Sequence, residues 1–288
     1  MRGLTLRRRD MLGGAAALGL GAFVLGAAPG RIAAQTRTYG DPRRFLAAFR
    51  DWRRAQEVRA GYLPTLEEAA FDATNAMRAE AGLRPLEAEE GLRWIARFYA
   101  QTLSRTGGFD HEDEAGRGPA ERIAVLHRRF VGVNGENIFK SDIFTLSEQG
   151  RAGRFAVDSL MDSPGHRRNI LAPNWTHAAM GAAGDGGMFH LVQLFGQRVA
   201  LLAEEAPLEL PAGKALPPAF TRFAAGGADR LALAPPTAEI TGADLRPLDG
   251  ATAPAQAGIA ATRYAVQESA QGNRVGYGVY PGPVVVVV

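Results

Sequence analysis

The chain has 288 residues, 46% of them apolar and 22% charged, which is room for one sizeable domain and a smaller addition. Its net charge of +3 is misleading, because five of its 33 basic residues and one of its 30 acidic residues lie in the first 34 positions. The rest is near neutral, which excludes a nucleic-acid or anionic-membrane partner chosen by charge, and the lack of cysteine excludes disulfides, thiolate metal ligands and an acylated cysteine.

Residues 1–34 read as an export signal. Arg7-Arg8-Arg9-Asp10 precedes a Gly/Ala-rich apolar stretch, Met11 to Ala28, and Ile32-Ala33-Ala34 offers small residues before a cut ahead of Gln35. At about 18 residues the stretch approaches the ~20 of a membrane span, but its five glycines make it weakly apolar, so a cleaved twin-arginine signal is the reading adopted. No stable span is expected after cleavage, and the destination is periplasmic or secreted.

Residues 35–63 read as a helical linker. Phe45, Phe49 and Trp52 recur at helical spacing, a stripe that predicts packing on the main domain. A helix follows, with Thr65 and Glu68 spaced as a capping box and Leu66, Ala70, Ala73, Met77 and Ala81 on one face, ending at Gly82. A second helix is predicted from Glu87 to Thr106, its stripe made by Leu92, Ile95, Ala96, Tyr99 and Leu103. Residues 107–153 look irregular apart from a helix at Pro119 to Phe130. A helix over Ala152 to Met161 ends at Ser163-Pro164-Gly165, and strands are predicted at 178–183 and 187–195. Helices first and antiparallel strands after imply an α+β fold. Residues 198–288 are rich in proline and alanine and read as a small, mostly β appendage whose terminal valines must be paired or buried.

The candidate chemistry lies among the histidines. His111 stands in Phe109-Asp110-His111-Glu112-Asp113-Glu114, and His166 at the turn Ser163-Pro164-Gly165-His166. Between them lies Gly135-Glu136-Asn137-Ile138. Two imidazoles and a carboxylate are the parts of a divalent-metal site or of an acid/base pair near neutral pH, but 55 residues separate the histidines. Glu136 can equally cap a helix, and Asn137 and Asn169 can equally tie loops by side-chain-to-backbone bonds. His127, beside Arg128 and Arg129, reads as a surface residue; His177 and His190 read as loop and strand-packing residues. Ser163 lacks a nucleophile elbow and reads as a turn residue.

Several runs, in order, resemble the CAP superfamily (cysteine-rich secretory, antigen 5 and pathogenesis-related-1, or SCP-like) in its cysteine-free bacterial branch, over residues 64–197. They are Asn75-Ala76-Met77-Arg78 with Gly82-Leu83-Arg84-Pro85-Leu86, Leu92 to Ala96, Phe109 to His111, Arg122-Ile123, Gly135-Glu136-Asn137-Ile138, Met161 to Leu171, and Val192 to Phe195. The resemblance implies a three-layer α-β-α sandwich with a cleft formed by His111, Glu136 and His166, flanked by Asn137 and Asn169. It also implies that His111 and His166 hold a divalent cation, zinc or magnesium, with Glu136 as base or ligand. Leu160 stands where the family usually has tryptophan, and Ser163 where many eukaryotic members have a second acid, which leaves Asp113 or Glu114 as substitutes.

Three functions remain open: a module binding a small apolar or cell-envelope ligand such as a lipid, or a protein partner; a metal-assisted hydrolase; and a structural envelope protein with an inactive cleft. No nucleic-acid partner is expected, and the sequence does not set the oligomeric state. For the export signal, replacing Arg8 and Arg9 with lysine is expected to leave the precursor in the cytoplasm, as followed by cell fractionation. Unchanged export would indicate a Sec route.

Overall fold

The computed structural model describes residues 38–59, 62–184, 187–271 and 274–288. The export signal expected over residues 1–34 lies outside them. Helix α1 (Pro42–Arg59) buries Phe45, Leu46 and Phe49 and brings Trp52 onto Phe98 and Trp94, with ring centroids 5.0 and 6.1 Å apart. The expected linker is thus part of the principal core.

Helix α2 (Pro64–Glu80) starts one residue before the predicted cap. Leu63 holds the cap position without a side-chain bond, and the Thr65–Glu68 box does not form. Pro64 explains this: its fixed φ suits the first helical position, where no N–H donor is needed, and Thr65 falls inside the first turn. Glu87 does not open the next helix. It and Ala88 form a short strand, β1 (Glu87–Ala88), and Glu89 caps α3 (Glu90–Thr106) by accepting from the Leu92 N–H at 2.6 Å. Gly107, at φ 70°, stops α3 in the left-handed conformation that glycine tolerates.

Helix α4 (Pro119–Leu126) is shorter than predicted, and strand β2 (Phe130–Ser141) replaces the expected irregular chain. Helices α5 (Gln149–Asp162) and α6 (Pro164–Ile170) are separated only by Ser163, and strands β3 (His177–Gly184) and β4 (Phe189–Leu202) follow. The sheet runs β1-β3-β4-β2, antiparallel except for the β1–β3 pair. Side-chain alternation divides it between two helical layers. Ile138, Ala179, Ala183, Val192 and Leu194 meet α1, α3 and α4, whereas Phe139, Met180, Leu191 and Phe195 meet α2, α5 and α6. At Gly181 a Cβ would come within 2.1 Å of the α3 backbone at Ala96 and Arg97, so glycine lets helix and strand touch there. This is the expected α+β, three-layer sandwich.

The C-terminal residues are mostly β, as expected, but they are not an appendage. Strand β4 runs through the boundary predicted at residue 198. Beyond it come β5 (Glu209–Leu210), β6 (Phe223–Gly226), β7 (Arg230–Ala234), β8 (Arg246–Pro247), β9 (Gly258–Gln271) and β10 (Arg274–Val287). Strand β6 joins β4 in the first sheet, and the others form a second sheet ordered β5-β10-β9-β7-β8. Val284 enters the principal core, and Val285, Val287 and Tyr264 pack against Val131, Ala200 and Leu202. Four of the five terminal valines are buried.

Arg128 ties the junction between α4 and β2 to strand β10 and to residues 206–207. Expected at the surface, it is 2% exposed and donates from Nε to Ala206 O (3.0 Å), from Nη1 to Ala124 O (3.2 Å) and Val284 O (2.6 Å), and from Nη2 to Pro207 O (2.9 Å). Burial pulls its pKa down to about 10. Carbonyl dipoles stand in for a carboxylate, so every donor bond made here matters for keeping the charge inside. Arg128→Ala would strand several buried carbonyls, and a loss of about 2–4 kcal/mol is expected in urea unfolding, whereas Arg129→Ala should cost less.

Candidate functional site

The site is assembled on β2. Glu136, 4% exposed, is held at both carboxylate oxygens: His111 Nδ1 lies 2.9 Å from Oε1, and Arg122 Nη2 donates to Oε2 at 2.6 Å. The Arg122 guanidinium lies over the Tyr99 ring, 3.5 Å from its centroid, and also donates from Nη1 to His111 O and Arg117 O, both at 2.8 Å. Tyr99 in turn donates to Asp110 O at 2.6 Å. The loop bearing His111 is therefore tied down on both sides of the histidine. Burial of ionic groups on this scale is tolerable only with such complete pairing.

In the neutral ring, a carboxylate next to Nδ1 selects the tautomer with the proton on that nitrogen, which leaves Nε2 as an acceptor. His111 Nε2 is buried and has no hydrogen-bond partner in the protein.

His166 sits in the first turn of α6. Burial lowers its pKa from the ordinary imidazole value, and repulsion between the two rings when both are protonated lowers it further; the fold has brought the two rings within electrostatic reach across 55 residues of sequence. Helix α6 is docked by Asn169, whose Nδ2 donates to Glu136 O (3.2 Å) and Asn137 Oδ1 (3.0 Å). Asn137 donates to Gln193 Oε1 (2.8 Å), and Gln193 to Thr74 Oγ1 (2.7 Å). Arg78 Nη1 reaches Ile170 O and Ala172 O at the far end of the helix. Gly135 also permits a close approach, since a Cβ there would lie 2.7 Å from Asn169 Oδ1 and 2.9 Å from Trp175.

These contacts reassign several expected site residues. Asn137 and Asn169 are buried and bonded to protein, although Asn169 Oδ1 has no hydrogen-bond partner. Glu136 orients His111; with Arg122 and His111 on its two oxygens it is poorly placed as a base or metal ligand. Asp113 is bonded to Arg117 and Glu114 is exposed, so neither completes the cleft. His127 is buried, not superficial: its Nε2 lies 3.0 Å from Glu89 Oε2 and its ring packs on Phe130. Burial would raise the Glu89 carboxyl, but the bond and charge of His127 and the Leu92 N–H outweigh it and hold the group at about 2. His190 is buried in β4, as a strand-packing residue should be, whereas His177, expected in a loop, is the buried first residue of β3. Arg122, Tyr99, Gln193 and Thr74 were not singled out for roles; the Arg122-Ile123 run was visible in sequence, but its contact with Glu136 was not.

The donor set does not fit the implied divalent cation. Among the described residues no group of three histidine, aspartate or glutamate side chains is placed to hold a metal ion, and at the site two imidazole nitrogens remain where a protein zinc site uses three or four ligands. An apolar crevice bounded by Leu66, Phe144 and Phe189 and a groove between α1 and β5 both lie away from His111 and His166. Among the described residues no helix is long and apolar enough to cross a membrane.

A three-layer α-β-α sandwich with two imidazoles and a buried carboxylate on its edge strand defines the class of an SCP-like domain. Residues 71–195 match the model of the cysteine-rich secretory protein family, CAP, and this part of the chain belongs to that family. The uncharacterized protein YkwD of Bacillus subtilis is 31% identical over 123 residues, which are 43% of this chain and 44% of that protein. The chain thus matches less than half the length of this curated relative. An extracellular SCP-domain protein of Bacillus anthracis aligns at 22% identity over 46% of this chain and 40% of its own, with a TM-score of 0.38. An outer surface protein of Borrelia burgdorferi aligns at 20% identity over 44% of this chain and 89% of its own, with a TM-score of 0.37.

The buried histidines make stability depend on pH. Burial lowers the folded-state pKa of His166 and of His177, and Arg198 adds to the lowering at His177. The unfolded chain then takes up protons first as pH falls, so this stability is complete above about 6.5 and is lost as pH drops toward the folded values. Urea midpoints measured from pH 8 to 5 are expected to fall, and a His166→Asn, His177→Asn double variant should show a shallower fall over the same window.

Proposed function

We propose that the protein is exported from the cytoplasm and that its CAP domain is a binding module for a cell-envelope ligand, held at the His111–His166 edge by hydrogen bonds. The observation that carries this reading is the Arg122–Glu136–His111 relay, which leaves a bare, buried Nε2 facing no protein donor. Such an atom accepts from a hydroxyl or amide N–H, and leaving it unmet in water-poor surroundings is costly. His166, whose charged form is disfavoured by burial, offers a second imidazole. Export rests on the twin arginines and apolar stretch of residues 1–34. Hydrolysis has less support, because Glu136 is engaged by Arg122 and His111 and, among the described residues, no third metal ligand accompanies the histidines.

The test is retention of envelope fractions (lipid, glycan and peptide) on immobilised full-length mature protein. Wild type is expected to retain one fraction with and without EDTA, and the His111→Ala, His166→Ala double variant to lose about tenfold in affinity. Retention that survives the double substitution, or that requires added zinc, would overturn the reading.

A further inference from the structure

The loop that carries His111 is hinged at both ends and weakly held between them. Gly107 (φ 70°) and Gly116 (φ 72°) stand at its two ends in the left-handed conformation. Between them Phe109, Asp110, Glu112, Glu114 and Ala115 are exposed, and no residue of the segment 107–118 enters a hydrophobic cluster among the described residues. A short set of contacts holds it down. Arg122 donates to the His111 carbonyl and Tyr99 to that of Asp110, the His111 ring meets Glu136, and Lys140 lies over Phe109. A segment fastened by a few bonds, with no side chain in the core, opens locally at far lower cost than the sheet beneath it.

The far end of the loop is stiffened and latched. Asp113 accepts at Oδ1 from the Ala115 and Arg117 N–H groups (2.9 and 3.0 Å) and at Oδ2 from Arg117 Nε (2.8 Å), so residues 113–117 form one tight turn. The Arg117 guanidinium lies over the Phe45 ring, 3.6 Å from its centroid. Phe45 is on α1, and α1 lies outside the residues 71–195 that match the family. Arg117 thus joins the loop to a helix from beyond the matched domain. The closed position is also the one that buries His111 Nε2, so a donor in solution cannot meet that atom while the loop stays down.

We infer that residues 109–115 are a lid over the His111–Glu136 contact, latched to α1 through Arg117 and opening on the glycines at its ends. The lid governs access to the atom on which the binding reading rests, yet it goes beyond that reading, because opening needs no ligand. A ligand that meets only the open form binds with an apparent affinity reduced by the open fraction, and the contact with α1 sets that fraction.

Carbethoxylation by diethyl pyrocarbonate, followed by peptide mass spectrometry on the full-length mature protein, reports opening directly. The reagent attacks an unprotonated imidazole nitrogen, and at His111 that nitrogen is the buried Nε2. The buried His177 and His190 serve as internal controls. Arg117→Ala removes the contacts with both Phe45 and Asp113, and is expected to raise the His111 rate about fivefold while the controls stay unchanged. A cross-link supplies the opposite arm. A Cβ on Gly40 would lie 3.8 Å from that of Ala115, about the separation a disulfide needs, and the chain has no cysteine of its own. In a Gly40→Cys, Ala115→Cys variant, oxidation should suppress His111 labelling below the wild-type rate, and reduction should restore it. The strain of a side chain at Gly40 (φ 56°) is present in both forms and drops out of the comparison. Equal His111 rates in wild type and Arg117→Ala, or in the oxidised and reduced pair, overturn the proposal. If the controls rise with His111 in Arg117→Ala, the change is global and the cross-linked pair decides. Labelling as expected, with no envelope fraction retained, leaves the lid standing and the binding reading fallen; retention by wild type with equal labelling throughout does the reverse.

Discussion

A carboxylate buried on a β-strand must find partners for both oxygens or give up its charge, and Glu136 finds them in Arg122 and His111. Much of the surrounding architecture follows from that requirement. Arg122 must come from a helix lying across the strand, so α4 is docked where it is, and Tyr99 of α3 supplies the aromatic floor for the guanidinium. The same guanidinium holds the loop carbonyl of His111, so the group that neutralises Glu136 also places the imidazole. On the opposite face, Asn169 bonds to the Glu136 carbonyl and draws α6 and its histidine toward the same strand. The two imidazoles come within electrostatic reach because both segments are tied to one strand.

The helices were legible in the sequence because their apolar stripes have the helical period: the buried face of α3 is the one its spacing predicts. Strand β2 was not legible. It carries Gly132, Asn134, Gly135 and Asn137, residue types depleted in strands, and its burial on both faces removes the alternation that marks a half-exposed strand. The glycines are there because neighbours come close: the Gln197 carbonyl at Gly132, and Asn169 and Trp175 at Gly135. Local pattern was overridden by tertiary contact, and it was overridden on the strand that builds the site.

The same physics explains the misplaced histidine. His127-Arg128-Arg129 looks like an exposed charged corner, yet His127 pairs with Glu89, Arg128 disappears among carbonyls, and Arg129 donates to Leu202 O. Charge in a sequence marks exposure only when the fold offers no acceptors, and here the loops at 202–207 offer several. The histidines of the site were different: their residue types suggested chemistry, but only family resemblance linked His111 to His166, since no local rule spans 55 residues. The resemblance in turn did not foresee that Glu136 would orient a ring, because that role depends on Arg122.

Strand β10 belongs to the second sheet but serves both. Val284 fills the principal core, Val285 and Val287 pack with Val131, Ala200 and Leu202, and the Val284 carbonyl accepts from Arg128. Four consecutive residues therefore belong to two cores at once. Loosening β10 opens both, so the two sheets share one unfolding transition and neither has a private stability of its own.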